Sequence, residues 1–385
     1  MFAVIADDLS GAAEIAGQGL QFGISSEIKC EFAGTTEKEL LVINTSSRAL
    51  GKKKAYKRVK KAAEFLMSLN PEWIYKKTDS VLRGPVLAEL SAIMKGSGLN
   101  RSLLLPANPG MGRTIVNGKY MVNDFELTET SFAQDPEHPC KSADVLKLMG
   151  EFEGTRAGCL AENQLLPEQG VFIGEIKNEK SLQYWAGLMN DDVLPAGGVE
   201  FFTRILQKRE HKFLDEPKQS NVEFGRTLFV CGSKHQNSRS AIEQARDNGA
   251  AISCMPIELI SGAENRILKR WQNNIISRLE KSNKLILSVP EQISPSKNTA
   301  LRIQSTFSRI IEQLLTEVKL DTLVIEGGET GQAITKNLKI NNFYPKRLLA
   351  PGVVELSTQL TNPSAIIMKP GSYVWPESLW CFSKN

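Results

Sequence analysis

Short apolar runs alternate with longer amphipathic stretches along the whole chain. Residues 2–6, 40–43 and 103–105 are apolar runs, and polar residues follow each of them. Runs this short and this apolar predict strands buried on both faces of a sheet. After the first run, Ser10 stands where a helix N-cap is expected, and apolar residues recur at helical spacing over positions 12–20. The pattern predicts an α/β fold with mainly parallel sheets.

The second half of the chain repeats this pattern after a stretch rich in charged and amide residues. Residues 227–231 and 322–325 are apolar runs, each followed by small residues and a helical segment. The chain has 385 residues, more than one core usually holds, since domains have roughly 100–200 residues. We therefore predict two three-layer α/β domains, residues 1–222 and 223–385, with an active-site cleft between them.

One segment of the first half predicts a different structure. Residues 114–122 have an Asn117-Gly118 pair at their centre. Both residue types accept the positive φ angles of a type I′ turn, which joins two antiparallel strands. A β-hairpin is therefore expected there.

Composition excludes several classes of protein. Hydrophobic residues make up 41% and charged residues 23% of the chain, which is typical of a folded globular protein. No segment is apolar for long enough to span a bilayer, so neither disorder nor membrane insertion is expected. The net charge is +4, and the lysine-rich stretch 52–61 contains one aromatic residue, Tyr56. Nucleic-acid binding is not expected, because single strands are bound by aromatic stacking among the cations.

Cysteine and histidine usage points away from disulfides and metal centres. The six cysteines show no CxxC pair and no zinc-like spacing, and the three histidines are scattered. A reducing cytosol is the expected location. The apolar first residues reach Asp7 and Asp8 at once, so we expect a buried strand there and not a signal peptide. With so few histidines, proton transfer would fall to carboxylates.

A dense polar cluster follows the apolar residues 73–75. Residues 76–84 hold two lysines, an aspartate, hydroxyl groups and Arg83, and residues 85–90 then predict a helix. Charged side chains between a strand and a helix are typical of ligand sites in α/β folds. The planar guanidinium of Arg83 can bind a carboxylate through two hydrogen bonds, so the cluster indicates a small acidic substrate.

Each of these residues also has a structural alternative. In that alternative, Arg83 pairs structurally with Asp79, and one of Lys76 and Lys77 is a buried partner while the other is solvated, because successive strand residues point to opposite faces. The structural alternative for Asp7 and Asp8 is that they cap the first helix.

Glycine-containing turns precede or follow several predicted strands of the second half. Gly327-Gly328 lies before a helix, and Gly232-Ser233 and Pro370-Gly371 follow strands. Glycine lets the backbone approach a phosphate closely, and the first N–H groups of a helix point at the anion. A nucleotide phosphate is the natural ligand. A tight connection is the alternative, since neither GxxxxGK[ST] nor GxGxxG is present.

In their order along the chain, these motifs resemble the four-carbon acid sugar kinase family. The family's IADDLTGA is here IADDLSGA at residues 5–12, and its KKxDSTLRG is KKTDSVLRG at residues 76–84. PANPGMGRT at 106–114, TSFAQDP at 130–136, VCGS at 230–233 and GGET at 327–330 continue the match. Ser10 and Val81 replace usual threonines, and Tyr373-Val374-Trp375 stands where a Phe-Gly pair is usual.

The resemblance implies ATP-dependent phosphorylation of the terminal hydroxyl of threonate, erythronate or a 3-oxo-tetronate. By position, the residues that bind the sugar acid in the first domain are Asp8, Lys77, Asp79, Arg83, Asn108 and Arg113. The residues implied to line the ATP pocket of the second domain are Ser233, Gly327, Gly328, Glu329, Thr330 and Gly371.

For the mechanism, we expect Arg83 with Lys77 or Arg113 to hold the substrate carboxylate. Asp7, Asp8 or Asp79 would orient and deprotonate the attacking hydroxyl, with Asp8 the first choice. Mg²⁺ would bridge the ATP phosphates, with one ligand from Glu329 or an aspartate of the first domain.

Two other functions would use the same cluster of charged residues. A hydride-transferring enzyme should carry GxGxxG, and the chain does not. A non-catalytic sugar-acid sensor would still bind the carboxylate of the sugar acid but would not consume ATP, and it stays the alternative. The preferred four-carbon acid, its stereochemistry and the oligomeric state stay open, with a homodimer as one candidate assembly.

Overall fold

The computed structural model describes residues 1–134, 139–214, 224–233, 236–262, 265–291 and 296–382. The chain divides into two compact units, residues 1–214 and 215–385. The predicted boundary between residues 222 and 223 lies outside the described residues. None of the helices in the described ranges has the length and apolar run that crossing a membrane would require.

A parallel sheet forms the centre of the first unit. Its spatial order is β2-β3-β1-β4-β11-β5-β10-β9, and every neighbouring pair of these strands runs parallel. Strands β1, β3 and β10 are buried at every position, as the apolar runs predict. The strands of this unit are β1 (Phe2–Ala6), β2 (Ser26–Lys29), β3 (Leu40–Asn44), β4 (Ile74–Lys77), β5 (Arg101–Leu105), β6 (Arg113–Val116), β7 (Lys119–Val122), β8 (Phe125–Glu126), β9 (Ala157–Leu160), β10 (Gly170–Gly174) and β11 (Val193–Gly197).

Two groups of helices cover the faces of this sheet. Helices α1, α5 and α6 pack together on one side, and α2 packs with α3 on the other. Helix α2 buries a stripe at Ala55, Val59, Ala62, Ala63 and Leu66, while most of its lysines stay in solvent. The helices are α1 (Leu9–Leu20), α2 (Lys52–Ser68), α3 (Val86–Ser97), α4 (Val145–Met149), α5 (Glu179–Gly187) and α6 (Val199–Lys208).

The predicted hairpin is present as β6 and β7. The two strands pair antiparallel, and Asn117 and Gly118 between them have φ angles of 50° and 71°. Positive φ at both central residues is the signature of the type I′ turn. The hairpin prediction is confirmed.

The predicted N-cap of the first helix is wrong by two residues. Helix α1 begins at Leu9, and its N-cap is Asp8, whose side chain accepts a hydrogen bond from the Gly11 N–H. Ser10 lies inside the first turn and donates its hydroxyl to Asp8 Oδ2 at 2.7 Å. A carboxylate two residues earlier thus satisfies the helix terminus that Ser10 was expected to cap.

The second unit has a mixed sheet in the order β13-β14-β12-β15-β18-β17-β16. The strands from β13 to β18 in this order are parallel, and β18-β17-β16 are antiparallel. The strands are β12 (Thr227–Cys231), β13 (Ala251–Cys254), β14 (Lys284–Ser288), β15 (Thr322–Glu326), β16 (Asn342–Ala350), β17 (Val353–Ser357) and β18 (Ala365–Lys369). The helices are α7 (Gln236–Asp247), α8 (Ile257–Ile260), α9 (Asn265–Lys281), α10 (Lys297–Glu317) and α11 (Gly328–Asn337).

Aromatic residues from the end of the chain pack on the sheet of the second unit. Trp375 and Trp380 stack with ring centroids 4.2 Å apart, and both contact Phe229 edge-on. This cluster and α7 share one core with β12, whereas α9, α10 and α11 pack with one another and with the sheet. The α/β prediction with mainly parallel sheets is confirmed in both units.

Candidate active site

Three neighbouring strands of the first unit end in polar residues at the same edge of the sheet. Asp7 and Asp8 follow β1, residues 45–48 follow β3, and Thr78 and Asp79 follow β4. The chain then enters α1 after β1 and α2 after β3, and these helices belong to different helix groups. The carboxyl ends of β1 and β3 therefore form a topological switch point, where open α/β sheets bind ligands.

Arg48 is the residue that joins the aspartates at this edge. Its Nε and Nη2 donate to Asp7 Oδ2 and Oδ1 at 2.8 and 3.0 Å, and its Nη1 donates to Asp8 Oδ2 at 2.7 Å. Nη1 also lies 3.7 Å from Asp79 Oδ1. Burial alone would raise the pKa of Asp7, but Arg48 and Lys76 lower it below its usual value. Asp7 therefore stays ionised.

Asp8 caps the helix and faces Arg48 at the same time. Its Oδ1 accepts from the Gly11 N–H at 2.8 Å, and its Oδ2 accepts from Ser10 and Arg48. The capping alternative is thus confirmed for Asp8, but capping does not use all the hydrogen-bond acceptor positions of its carboxylate. A carboxylate has about four acceptor positions, and these three hydrogen bonds leave one for a ligand hydroxyl.

Asp79 and Arg83 form a bidentate ion pair. Arg83 Nε and Nη2 donate to Asp79 Oδ2 and Oδ1 at 2.9 and 2.7 Å, and the N–H groups of Val81 and Arg83 add two more hydrogen bonds to Oδ2. Burial would raise the pKa of Asp79, but Arg83 and Arg48 hold it well below its usual range. The pairing alternative for Arg83 is confirmed, and its role in substrate binding stays a prediction.

Lys76 and Lys77 are both buried and both paired. Lys76 Nζ lies 2.8 Å from Glu89 Oε2, and Lys77 Nζ lies 2.9 Å from Glu14 Oε2. The alternative that one of them is solvated is wrong, because helices cover both faces of β4 and each supplies a glutamate. Burial would lower the pKa of Lys77, but Glu14 and the aspartates raise it above its usual value, so Lys77 stays charged.

Arg113 ties the hairpin to the loop after β4. Its Nη1 donates to Ser80 Oγ at 2.5 Å, and its guanidinium lies 5.4 Å from the centre of the Phe132 ring. The Tyr120 hydroxyl donates to the Ser80 carbonyl at 2.6 Å. The structure therefore places Arg113 next to the Asp79 loop, as a shared substrate site requires.

Asn108 lies further along the same edge of the sheet. It follows β5, which β11 separates from β4, and its amide hydrogen-bonds to Glu200 at the start of α6. Burial and the neighbouring Glu179 raise the pKa of Glu200. Asn108 Oδ1 is buried and has no hydrogen-bond partner among the described residues. The structure does not bring Asn108 into contact with the aspartates around Arg48.

Arg48 was not predicted from the sequence as a site residue. The signal for it was present, since it stands in the polar residues that follow the apolar run 40–43. What the sequence lacked was the strand order, which places β3 directly beside β1. Glu14 was missed because it lies within the predicted apolar helix face and becomes explicable only through Lys77.

In the second unit, three turns that follow adjacent strands lie against one another. A Cβ atom on Gly232 would be 2.5 Å from Thr330 Oγ1, and one on Gly371 would be 2.8 Å from Ser233 Oγ. The Gly327 N–H donates to the Lys369 carbonyl at 2.8 Å. The structure therefore brings together the turns that hold the six predicted ATP-binding residues, after β12, β15 and β18.

The start of α11 is suited to an anion. Gly327 is its N-cap with a φ of 95°, a conformation that favours glycine. Helical hydrogen bonding begins with Gly331 N–H to the Gly327 carbonyl, so the N–H groups of Gly328, Glu329 and Thr330 have no acceptor within the helix. Three aligned N–H groups at a helix N-terminus can bind a phosphate.

The carboxylates of the described residues do not form a metal cage. In the described ranges, no three His, Cys, Asp or Glu side chains are placed to hold a metal ion together. Glu329, in the first turn of α11, carries one of the three N–H groups, and its carboxylate accepts a hydrogen bond from Gln304 Nε2 at 2.9 Å. A single protein oxygen fits Mg²⁺, which keeps much of its water and binds mainly through phosphates.

Comparisons with known proteins match both units. A model described as a sugar-binding N-terminal domain matches residues 2–182, and one described as a nucleotide-binding C-terminal domain matches residues 228–373. A D-threonate kinase of Salmonella typhimurium is 34% identical, over 90% of this chain and 89% of the relative. A 3-oxo-tetronate kinase of Haemophilus influenzae is 23% identical over 92% of each chain.

Solved structures show the same fold. A protein of Salmonella typhimurium LT2 has a TM-score of 0.77 with 19% identity, covering 98% of this chain and 97% of the other. A protein of Haemophilus influenzae has a TM-score of 0.69 with 19% identity, covering 98% of each chain. At this identity the likeness bears on the fold alone.

Proposed function

Because this chain belongs to the four-carbon acid sugar kinase family, we propose that it transfers the terminal phosphoryl group of ATP to the terminal hydroxyl of a four-carbon sugar acid. D-threonate comes first among the substrates, because the relative named a D-threonate kinase is 34% identical and the Haemophilus influenzae 3-oxo-tetronate kinase only 23%. Erythronate and 3-oxo-tetronates are the alternatives. A reducing cytosol, a homodimer and a cleft between the domains stay predictions.

The observation that carries the proposal is the aspartate pair fixed by Arg48 at the switch point of the first sheet. Phosphoryl transfer to an alcohol needs a carboxylate that orients the hydroxyl and accepts its proton. Asp8 has one acceptor position beyond its three hydrogen bonds, and Arg48 holds it in place. Both oxygens of Asp7 lie in the bidentate pair with Arg48, and its side chain is 3% exposed against 7% for Asp8, so Asp8 is the base in this proposal and Asp7 positions Arg48.

The carboxylate of the sugar acid enters a site whose cations are already paired. Arg83 is the more open of the two arginines beside Asp79, with 24% of its side chain exposed against 13% for Arg48. Arg48 Nη1 stands 3.7 Å from Asp79 Oδ1, so Asp79 keeps a cationic partner when Arg83 turns part of its guanidinium to the substrate. Lys77 and Arg113 add charge nearby, and their pairing with Glu14 and Ser80 holds their positions.

ATP is assigned to the three turns of the second unit. The N–H groups at the start of α11 would bind its phosphates, and Ser233, Gly371 and Thr330 line the adjoining turns. Mg²⁺ on the phosphates supplies neutralisation of charge on the transferring group. The remaining task of the chain is alignment, which accounts for most of the acceleration in phosphoryl transfer.

Release of ADP by the purified protein tests the proposal. The protein is incubated with Mg²⁺-ATP and, separately, D- and L-threonate, D- and L-erythronate and 3-oxo-tetronates. ADP release with D-threonate, and little without an acid, is expected. A folded protein that binds these acids but releases no ADP would overturn the kinase assignment in favour of a non-catalytic sensor.

A further inference from the structure

A buried ion pair lies directly before two of the three turns of the second unit. Glu326 is the last residue of β15 and Lys369 the last residue of β18, and Lys369 Nζ lies 2.8 Å from Glu326 Oε1. Their side chains are 0% and 1% exposed. Withdrawing two charges from water this completely is costly, and it is offset only when the remaining donors and acceptors are satisfied.

The pair meets that condition through fixed partners. Lys369 Nζ also donates to the Pro370 carbonyl at 3.0 Å, and the ring of Trp375 lies 4.6 Å from it. Glu326 Oε2 accepts a hydrogen bond from Ser238 Oγ in the first turn of α7. An ammonium has three donors, and these three contacts account for them. The ammonium has no donor left, and both side chains are almost fully buried, so neither charge is placed to contact a phosphate or Mg²⁺ directly.

The same residues connect the turns that surround the candidate phosphate site. The Lys369 carbonyl accepts from the Gly327 N–H, which precedes α11. Pro370, held by the Lys369 ammonium, precedes Gly371, which lies against Ser233. Ser238 brings α7, the helix that follows the Ser233 turn, into the network.

Resting on the function proposed above, we propose that Glu326 and Lys369 are positioning residues for the nucleotide. They set the spacing between the turns after β12, β15 and β18, so that the N–H groups of α11 and the Ser233 turn meet the triphosphate together. They do not touch the nucleotide. A charged pair gives directional bonds to a helix, a turn and a strand end, whereas an apolar pair would fill the space without fixing these three.

Binding of ATP to Lys369→Met and Glu326→Gln tests this role. Calorimetry gives the Kd for ATP, steady-state kinetics give the KM for the sugar acid, and thermal unfolding gives the Tm. We expect the Kd for ATP to rise about tenfold or more in Lys369→Met, because a site misplaced by a fraction of an ångström loses its shared contacts. Glu326→Gln should lose less of the affinity for ATP than Lys369→Met does, since an amide oxygen still accepts a hydrogen bond from Lys369. The KM for the acid should stay within about twofold.

Lys76→Met is the matched control. Lys76 is also fully buried in a 2.8 Å pair, with Glu89, but it lies in the first unit. It should lower the Tm as much as Lys369→Met does and leave the Kd for ATP unchanged. Ser238→Ala, a milder change, keeps the test available if Lys369→Met does not fold, and a several-fold rise in its Kd for ATP is expected.

Two results would overturn the inference. If variants of Glu326, Lys369 and Ser238 have a lower Tm but the same Kd for ATP as wild type, the pair only stabilises the core. Wild-type protein that binds no ATP would instead remove the proposed function, and the inference with it. The first result leaves the kinase assignment intact, so the two failures are distinguishable.

Discussion

Arg48 binds Asp7 through two parallel hydrogen bonds, from Nε to Oδ2 at 2.8 Å and from Nη2 to Oδ1 at 3.0 Å. This geometry fixes the plane of the guanidinium, so that Nη1 points at Asp8 Oδ2, 2.7 Å away. The proposed base, Asp8, follows β1, and it is therefore oriented by a residue of the connection that follows β3. A lysine cannot reproduce this arrangement, because its ammonium is a point charge without a planar pair of donors.

Arg48→Lys should lower kcat about 100-fold, since a catalytic group misplaced by about 1 Å costs that much. The KM for ATP should stay unchanged, because Arg48 belongs to the first unit. Arg347→Lys is the matched control, as Arg347 also binds one carboxylate, Glu355, through Nε and Nη2 but lies in the second unit's β16. Steady-state kinetics with D-threonate measure both. A kcat of Arg48→Lys equal to that of the control would remove the orienting role.

Asp8→Asn separates the two roles of this residue. Asparagine is as good an N-cap as aspartate, so helix α1 should remain intact, while the proton acceptor is lost. We expect kcat to fall about 100-fold to 10,000-fold, the usual contribution of a general base, and the Kd for ATP to change little.

The control for Asp8→Asn is Asp144→Asn. Asp144 is the N-cap of α4 and accepts from the Leu146 and Lys147 N–H groups, without an arginine partner among its described contacts. Its kcat should match that of wild type. Equal loss of turnover and of ATP affinity in Asp8→Asn, or loss of neither, would exclude Asp8 as the base.

Asp79→Asn should change the response of stability to acid. The folded-state pKa of Asp79 lies below its unfolded value of 3.8. Its contribution to the free energy of unfolding is therefore fully present above about pH 4 and is lost as the pH falls through the folded-state pKa, at up to about 1.4 kcal/mol per pH unit. Asp7, whose pKa is also lowered, adds to the same acid limb.

The measurement is urea unfolding of wild type and Asp79→Asn from pH 7 to pH 2.5. At pH 7 the variant should be less stable by about 2 kcal/mol, because Arg83 loses a charged acceptor. The difference should shrink below about pH 4. A difference that stays constant down to pH 2.5 would show that folding does not lower the pKa of Asp79.

Gly371→Ala tests the contact between two turns of the second unit. The new Cβ would lie 2.8 Å from Ser233 Oγ, so the turns must separate. We expect the KM for ATP to rise about tenfold, with the KM for the acid unchanged. Gly187→Ala, where nothing lies within 4 Å of the added Cβ, should leave both values unchanged. A KM for ATP of Gly371→Ala equal to that of wild type would show that this turn does not bind the nucleotide.

The strands and the hairpin could be predicted because their signals are local. The apolar runs at residues 2–6 and 227–231 became β1 and β12 with the same bounds, and Asn117-Gly118 turned as expected. A buried parallel strand and a type I′ turn each carry their own pattern, whatever the rest of the chain does.

The pairing of charges could not be predicted in the same way. Whether Lys76 and Lys77 are solvated depends on Glu89 and Glu14, which two helices bring to opposite faces of β4. Arg48 became a site residue only because β3 lies beside β1. Such partners are distant in sequence, and their energetics depend on burial, which the order of residues alone does not reveal.

Phosphorus NMR of the complete reaction tests the central claim most directly. The protein is incubated with Mg²⁺-ATP and D-threonate, and the spectrum is recorded with proton coupling. We predict a new phosphomonoester resonance split into a triplet by the two protons of the terminal carbon, growing as ADP appears. Inorganic phosphate as the sole new signal, or a doublet from an ester on a secondary carbon, would contradict phosphorylation of the terminal hydroxyl.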